Sequence, residues 1–302
     1  MEAAKLLELW GRSLGNFCMN VLRPENLENA EKRDMKILAT FFSILSMVGI
    51  CSPSEARVEE EPRVISTRPG VTQSFVLIRP SGKPLATVIL FSGGSGNLAL
   101  SSEKIAQWQP TNFLLRNRIR FSQHGLLVAV VDAPSDRSGQ GLFGFRTTSA
   151  HAEDIRGVIA EMRKIAPVPV WLIGTSMGTV SAGNVAARLK EGGADGLVLT
   201  SSVTTSGRMM NESLQHVRLE DVTLPTLIVH HESDGCKSTP YGEAHALLKR
   251  LKQALRKAFL SFRGGDPPQS EPCEPLSYHG FLGLDAEVVQ AIAEWIRKPP
   301  KP

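Results

Sequence analysis

The chain has 302 residues, of which 42% are hydrophobic and 21% charged, with a formal net charge of +4. That size and balance support a sizeable core in one large domain or two small ones. The charge is too mild and too evenly spread for a nucleic-acid surface, and no aromatic stacking platform is evident, so nucleic acid is not expected as a partner.

Residues 35–56, "MKILATFFSILSMVGICSPSEA", have the layout of a secretory signal peptide: Met35, Lys36, an apolar stretch from Ile37 to Ile50, then small and polar residues. Fourteen helical residues reach only ~21 Å, short of a ~30 Å hydrocarbon core, so no stable membrane span is expected in the mature chain. Cleavage is expected after Ala56, and Cys51 is a poor lipidation site because the bulky Ile50 precedes it. Residues 1–34 carry Glu2, Glu8, Glu25, Glu28, Glu31 and Asp34, which do not suit the short cationic start of a signal, and they read as an upstream extension of the frame. A buried core helix is the plainer alternative for 35–56. Export to a periplasm or the exterior follows from the signal reading, with residues 57–302 left as a single domain.

After a polar linker at 57–70, strand-like runs occur at 74–80, 85–94, 126–134, 168–174, 195–202, 224–232 and 257–265. Several are continuously apolar and rich in Val, Ile and Leu, as expected where both faces of a parallel strand are covered. Helical patterns fall between them at 101–122, 149–165, 177–190, 241–254 and 285–297. The basic run at 248–258, "LLKRLKQALRK", reads as the solvated face of an amphipathic helix. Alternating strands and helices predict an α/β fold, a mostly parallel central sheet with helices on both faces.

The run "WLIGTSMGTVSAG", residues 171–183, passes from a buried strand through Gly174-Thr-Ser176-Met-Gly178 into a helix. A nucleophile on so sharp a turn needs a strained backbone, with small residues two before and two after it. Ser176 therefore reads as a nucleophile, against the plainer reading of a turn serine. On these residues the chain resembles the α/β-hydrolase-fold serine hydrolases, esterase-like or dienelactone-hydrolase-like, over roughly residues 64–298.

The resemblance implies a later acid and then a histidine. Asp234, in the loop after the strand at 224–232, is the implied acid, with Glu232 as the rival; His279 in "SYHGFLG" is the implied base. One oxyanion donor is implied at the Met177 amide. The second is assigned to Gly94 in "FSGGSGN", where relatives often carry His-Gly and this chain has Ser92-Gly93. A phosphate-cradling loop is the other reading of this turn, but the following Lys-Ser/Thr is missing. His230 and His231 read as packed or solvated, no histidine pair has zinc-type spacing with a third ligand, and no cofactor or metal is expected.

Residues 202–223 are too short for a folded cap, so no large cap domain and an open site are expected. Leu142, Phe143 and Phe145 in the 135–150 loop are candidates for an acyl pocket or for simple packing. The resemblance implies a small-molecule ester substrate. A peptidase or amidase with the same triad, or a non-catalytic binding protein on the same fold, are the alternatives. If Asp234 and His279 are hydrogen-bonded neighbours, Cys236 and Cys273 lie in adjoining loops. In an oxidising compartment they are then expected to form a disulfide, with Cα atoms within ~7 Å.

Overall fold

The computed structural model describes residues 59–100, 110–206 and 211–298, and residues 57–302 form one compact unit. The expectations for 1–34 and 35–56 lie outside the described residues. Eight strands form one sheet: β1 (Glu60–Arg68), β2 (Val71–Ile78), β3 (Ala86–Phe91), β4 (Leu126–Val131), β5 (Val170–Thr175), β6 (Gly196–Thr200), β7 (Thr226–His231) and β8 (Lys257–Phe262). Their order is β1-β2-β4-β3-β5-β6-β7-β8. Strands β3 to β8 run parallel, while β2 is antiparallel to β4 and β1 to β2.

Six α-helices are described: α1 (Phe113–Arg116), α2 (Arg118–Gln123), α3 (Ser149–Ile165), α4 (Gly178–Arg188), α5 (Tyr241–Arg250) and α6 (Asp285–Arg297). Every residue of β3 to β7 is buried, which is why those strands read as unbroken apolar runs. Alternate residues serve opposite cores. Ile89, Phe91 and Leu172 join Ile155, Val158, Val180, Val185 and Leu247 of α3, α4 and α5. Val88, Leu90 and Ile173 join Phe113, Phe121, Val288 and Ile292 of α1, α2 and α6. Each fully buried Leu, Ile, Val or Phe contributes roughly 1.5–3 kcal/mol of transfer free energy, so the two cores dominate stability.

Three expectations are corrected. The linker at 57–70 is largely the edge strand β1, bulged between Ser66 and Arg68. Its residues are only half-buried or exposed, so it carries no apolar run, and Pro62 fits an edge where one ladder bond is dispensable. The helix expected over 101–122 is, within the described residues, two short helices, the first capped by Asn112. The basic run at 248–258 leaves helix α5 at Arg250; Lys249 and Lys252 are exposed as expected, but Arg250 and Lys257 also bind carbonyls. Arg250 donates to Leu214 O and Val217 O, and Lys257 donates to Leu248 O and Leu251 O.

Between β6 and β7 the described residues hold only the short 3-10 turns Leu214–His216 and Leu219–Asp221, with no cap over the carboxyl ends of the strands. Among the described residues no helix is long and apolar enough to cross a membrane.

Candidate active site

Ser176 follows β5 directly, and α4 begins two residues later. Its φ is +52°, in the left-handed region that a residue with a Cβ rarely enters. The flanking glycines are sterically required. A Cβ on Gly174 would stand 2.3 Å from Gly178 O, and one on Gly178 would stand 2.1 Å from Phe91 O. The amide of Ser176 is held by Thr200 O at 3.1 Å. Ser176 thus stands between the carboxyl end of β5 and the first turn of α4, where Thr179 N–H donates to Ser176 O at 2.9 Å and Val180 N–H to Met177 O at 3.2 Å.

Asp234 leaves the loop after β7 with its carboxylate fully buried. Its Oδ2 lies 3.0 Å from His279 Nδ1 and accepts from Thr239 Oγ1 at 2.8 Å, while Oδ1 accepts from the Cys236 N–H at 2.9 Å. Burial by itself raises the pKa of this carboxyl. Hydrogen bonds from His230 and His279 outweigh that and hold it well below the usual carboxylate range. An ionised Asp234 can only accept, so Nδ1–H of His279 is the donor between them, and in the neutral imidazole that leaves the lone pair on Nε2. The rival Glu232 pairs with Arg263 at the surface and does not face His279.

His279 sits in the short 3-10 turn Tyr278–Gly280 before α6, and its backbone is fixed from two sides. Ser201 Oγ donates to His279 O at 2.6 Å, and Arg116 Nη2 donates to Gly280 O at 2.6 Å. Arg116 is oriented in turn by Asp285 at 2.7 Å. The Cys236–Cys273 disulfide ties the loop of Asp234 to the segment leading to His279, with Cα atoms 4.5 Å apart.

Ser176, His279, Met177, Gly93 and Gly94 line one cavity of about 370 Å³, closed on other sides by Asn112, Phe113, Val203 and the disulfide. Gly93 lies closest to the serine, where a Cβ would stand 2.9 Å from Ser176 Cβ. Gly94 is at φ +59° in the same loop. Two larger hollows, of about 500 and 610 Å³, contain none of these side chains. Among the described residues no group of three His, Cys, Asp or Glu could hold a metal ion. Leu142 and Phe145 are buried with Ala133 in a small cluster of their own, and Phe143 is exposed, so none of the three lines the cavity.

No protein-family model matches the chain, and no curated protein matches it. Solved structures do match in shape. A cold-adapted esterase from an Arctic intertidal metagenomic library aligns with a TM-score of 0.53 at 17% identity, over 80% of this chain and 95% of that one. A dienelactone hydrolase from Anabaena variabilis aligns at 0.54 and 17% identity, over 79% and 96%. An α/β serine hydrolase without lid from Xanthomonas campestris aligns at 0.52 and 16%, over 80% and 97%. This chain has the α/β-hydrolase fold. At such identities the likeness concerns the fold, and function rests on the site.

His230 and His231, expected to be packed or solvated, are both buried, and each has partners beside the site. His230 is buried behind the acid, its Nε2 2.9 Å from Thr239 O and 3.4 Å from Asp234 Oδ2. His231 donates from Nε2 to Gly264 O, accepts from the Ser233 N–H, and stacks on Tyr278 at 4.6 Å. Thr239 and Ser201 carry no motif, and only their contacts across the fold distinguish them.

Proposed function

We propose that the protein is a serine hydrolase that cleaves a carboxylic ester of a small molecule. The observation that carries the reading is one cavity lined by a serine on a strained strand-to-helix turn and by a histidine paired with a buried aspartate at 3.0 Å. In this reading Ser176 Oγ attacks the ester carbonyl while His279 Nε2 takes its proton. Asp234 holds the Nδ1–H and stabilises the imidazolium that forms. The developing oxyanion is met by the Met177 and Gly94 amides, Met177 lying at the positive end of α4. His279 then returns the proton to the leaving alcohol. Water, activated by the same histidine, hydrolyses the acyl-enzyme. No cofactor takes part in this sequence.

At about 370 Å³ the cavity lies near the lower end of the ligand-site range, which favours a short acyl group over an extended peptide. The absence of a cap among the described residues supports an open site. We further propose export, with cleavage after Ala56 of a signal at 35–56. A disulfide between Cys236 and Cys273 fits an oxidising compartment, and the apolar stretch at 37–50 fits the signal.

The test is a panel of p-nitrophenyl esters of rising acyl length beside peptide p-nitroanilides. Turnover of short esters with no measurable anilide cleavage is expected. Preferential anilide cleavage would replace the esterase reading with the amidase one.

A further inference from the structure

Arg146 heads the fully buried side chains of the described residues by volume, and it is a cation. None of its hydrogen bonds goes to a carboxylate. Nη1 donates to Ser181 Oγ on α4 at 2.7 Å, Nη2 donates to Gly94 O at 3.0 Å and reaches Ser92 O at 3.5 Å, and Nε has no partner. Glu212, the carboxylate whose field reaches it, gives its own oxygens to the N–H groups of Gly144 and Thr147 and to the Thr147 hydroxyl. Burial lowers the pKa of the guanidinium only to about 10, so it stays charged at neutral pH. A buried cation bonded only to neutral oxygens is costly, and an apolar side chain of similar volume would avoid the cost.

The loop above it has few means of holding its own shape. Gly93, Gly94 and Gly96 lack side chains, and the last two sit at positive φ, so its peptide planes can reorient cheaply. A Cβ on Gly96 would stand 2.7 Å from Arg146 Nη2, so the loop is shaped around the guanidinium. The same turn of chain that carries Arg146 also anchors Ser95, through Leu142 N–H to Ser95 O at 2.7 Å.

We propose that Arg146 is a positioning residue that clamps the 92–96 loop to the nucleophile helix. The clamp fixes the Gly94 amide for the oxyanion before substrate arrives, and the buried cation adds to the field favouring negative charge there. The inference rests on the hydrolase reading for its catalytic consequence, but the clamp itself is a statement about the loop. Lysine keeps the charge at this position but cannot bridge Ser181 and Gly94 with a planar fork.

The experiment compares Arg146→Met and Arg146→Lys with wild type. It measures p-nitrophenyl acetate kinetics and, by nuclear magnetic resonance, the backbone order parameters of 92–96. In the Met variant kcat is expected to fall about 10²-fold, the scale of one lost oxyanion donor, with KM within about threefold. Lysine should restore about tenfold of that loss. The order parameters of the 93–96 amides should fall in the Met variant. A folded Met variant with kcat within about twofold of wild type, or with the whole loss in KM and the loop as rigid as in wild type, overturns the proposal. If the Met variant does not fold, a Lys variant with wild-type kcat and wild-type loop order parameters overturns it equally. Were wild type itself to hydrolyse no ester, the hydrolase reading would fall, and unchanged order parameters at 93–96 would separately remove the clamp.

Discussion

Ser176 holds φ +52° because Gly174 and Gly178 let the strand, the turn and the loop after β3 approach to within van der Waals contact. Asp234 is the other residue whose environment specifies its role. Its carboxylate accepts from His279, Thr239 and the Cys236 amide, so it is ionised and fully bonded before any substrate binds. Replacing Asp234 with Asn keeps the shape but removes the requirement that Nδ1 carry the proton. In the proposed mechanism kcat should fall by about 10²–10⁴ with little change in fold, the upper end being the loss seen in a serine protease. Steady-state kinetics beside circular dichroism would check it, and a kcat near wild type would remove Asp234 from the triad. Ser176 was legible as a candidate because it stands on a recognisable strand-to-helix turn, and Asp234 and His279 because the resemblance to the α/β-hydrolase-fold serine hydrolases implies an acid and then a histidine after later strands. Thr239, His230 and Arg146 were not, since their roles arise from contacts between segments far apart in the chain.

The elements divide in the same way. Strands β3 to β7 were legible because burial on both faces leaves only apolar side chains, and helices α3 and α6 begin and end where their patterns do. Strand β1 was missed because its exposed edge tolerates the polar residues of "EEPRVISTR". The expected pairing of Cys236 with Cys273 is present, and it joins the two loops that bring the acid to the histidine. The bond spans 37 residues of sequence, for which the chain-entropy estimate is about 4 kcal/mol of stabilisation. The double variant Cys236→Ser/Cys273→Ser should therefore unfold at lower urea concentration and lose activity before global unfolding. Coincident loss of activity and of far-ultraviolet signal, at the wild-type midpoint, would contradict a role for the bond in registering those loops.

For the whole molecule, the acid limb of stability should carry the signature of His151. This side chain is buried between the rings of Phe91 and Phe145, and neither ring nitrogen has a partner among the described residues. Burial, then the nearby cations Arg146 and Arg68, push its pKa down to about 3. The folded state therefore resists a proton that the unfolded chain accepts near pH 6.5. Stability is fully present above that value and is lost as pH falls toward the folded pKa. At pH 4.5 the loss is on the order of 2–3 kcal/mol. Asp234, with its depressed pKa, begins to cost stability only below about pH 4, the ordinary aspartate value. His151→Phe should flatten the difference in urea midpoint between pH 7 and pH 4.5. An unchanged difference would contradict a neutral buried histidine.

Activation of Ser176 as a nucleophile by His279, as proposed, is tested by reaction of the folded protein with a fluorophosphonate, followed by peptide mass spectrometry and comparison with Ser176→Ala. One adduct per chain is expected, located on Ser176, absent from the Ala variant, and lost together with ester turnover. No adduct on the folded wild-type protein, or an adduct on another serine that persists in Ser176→Ala, would contradict it.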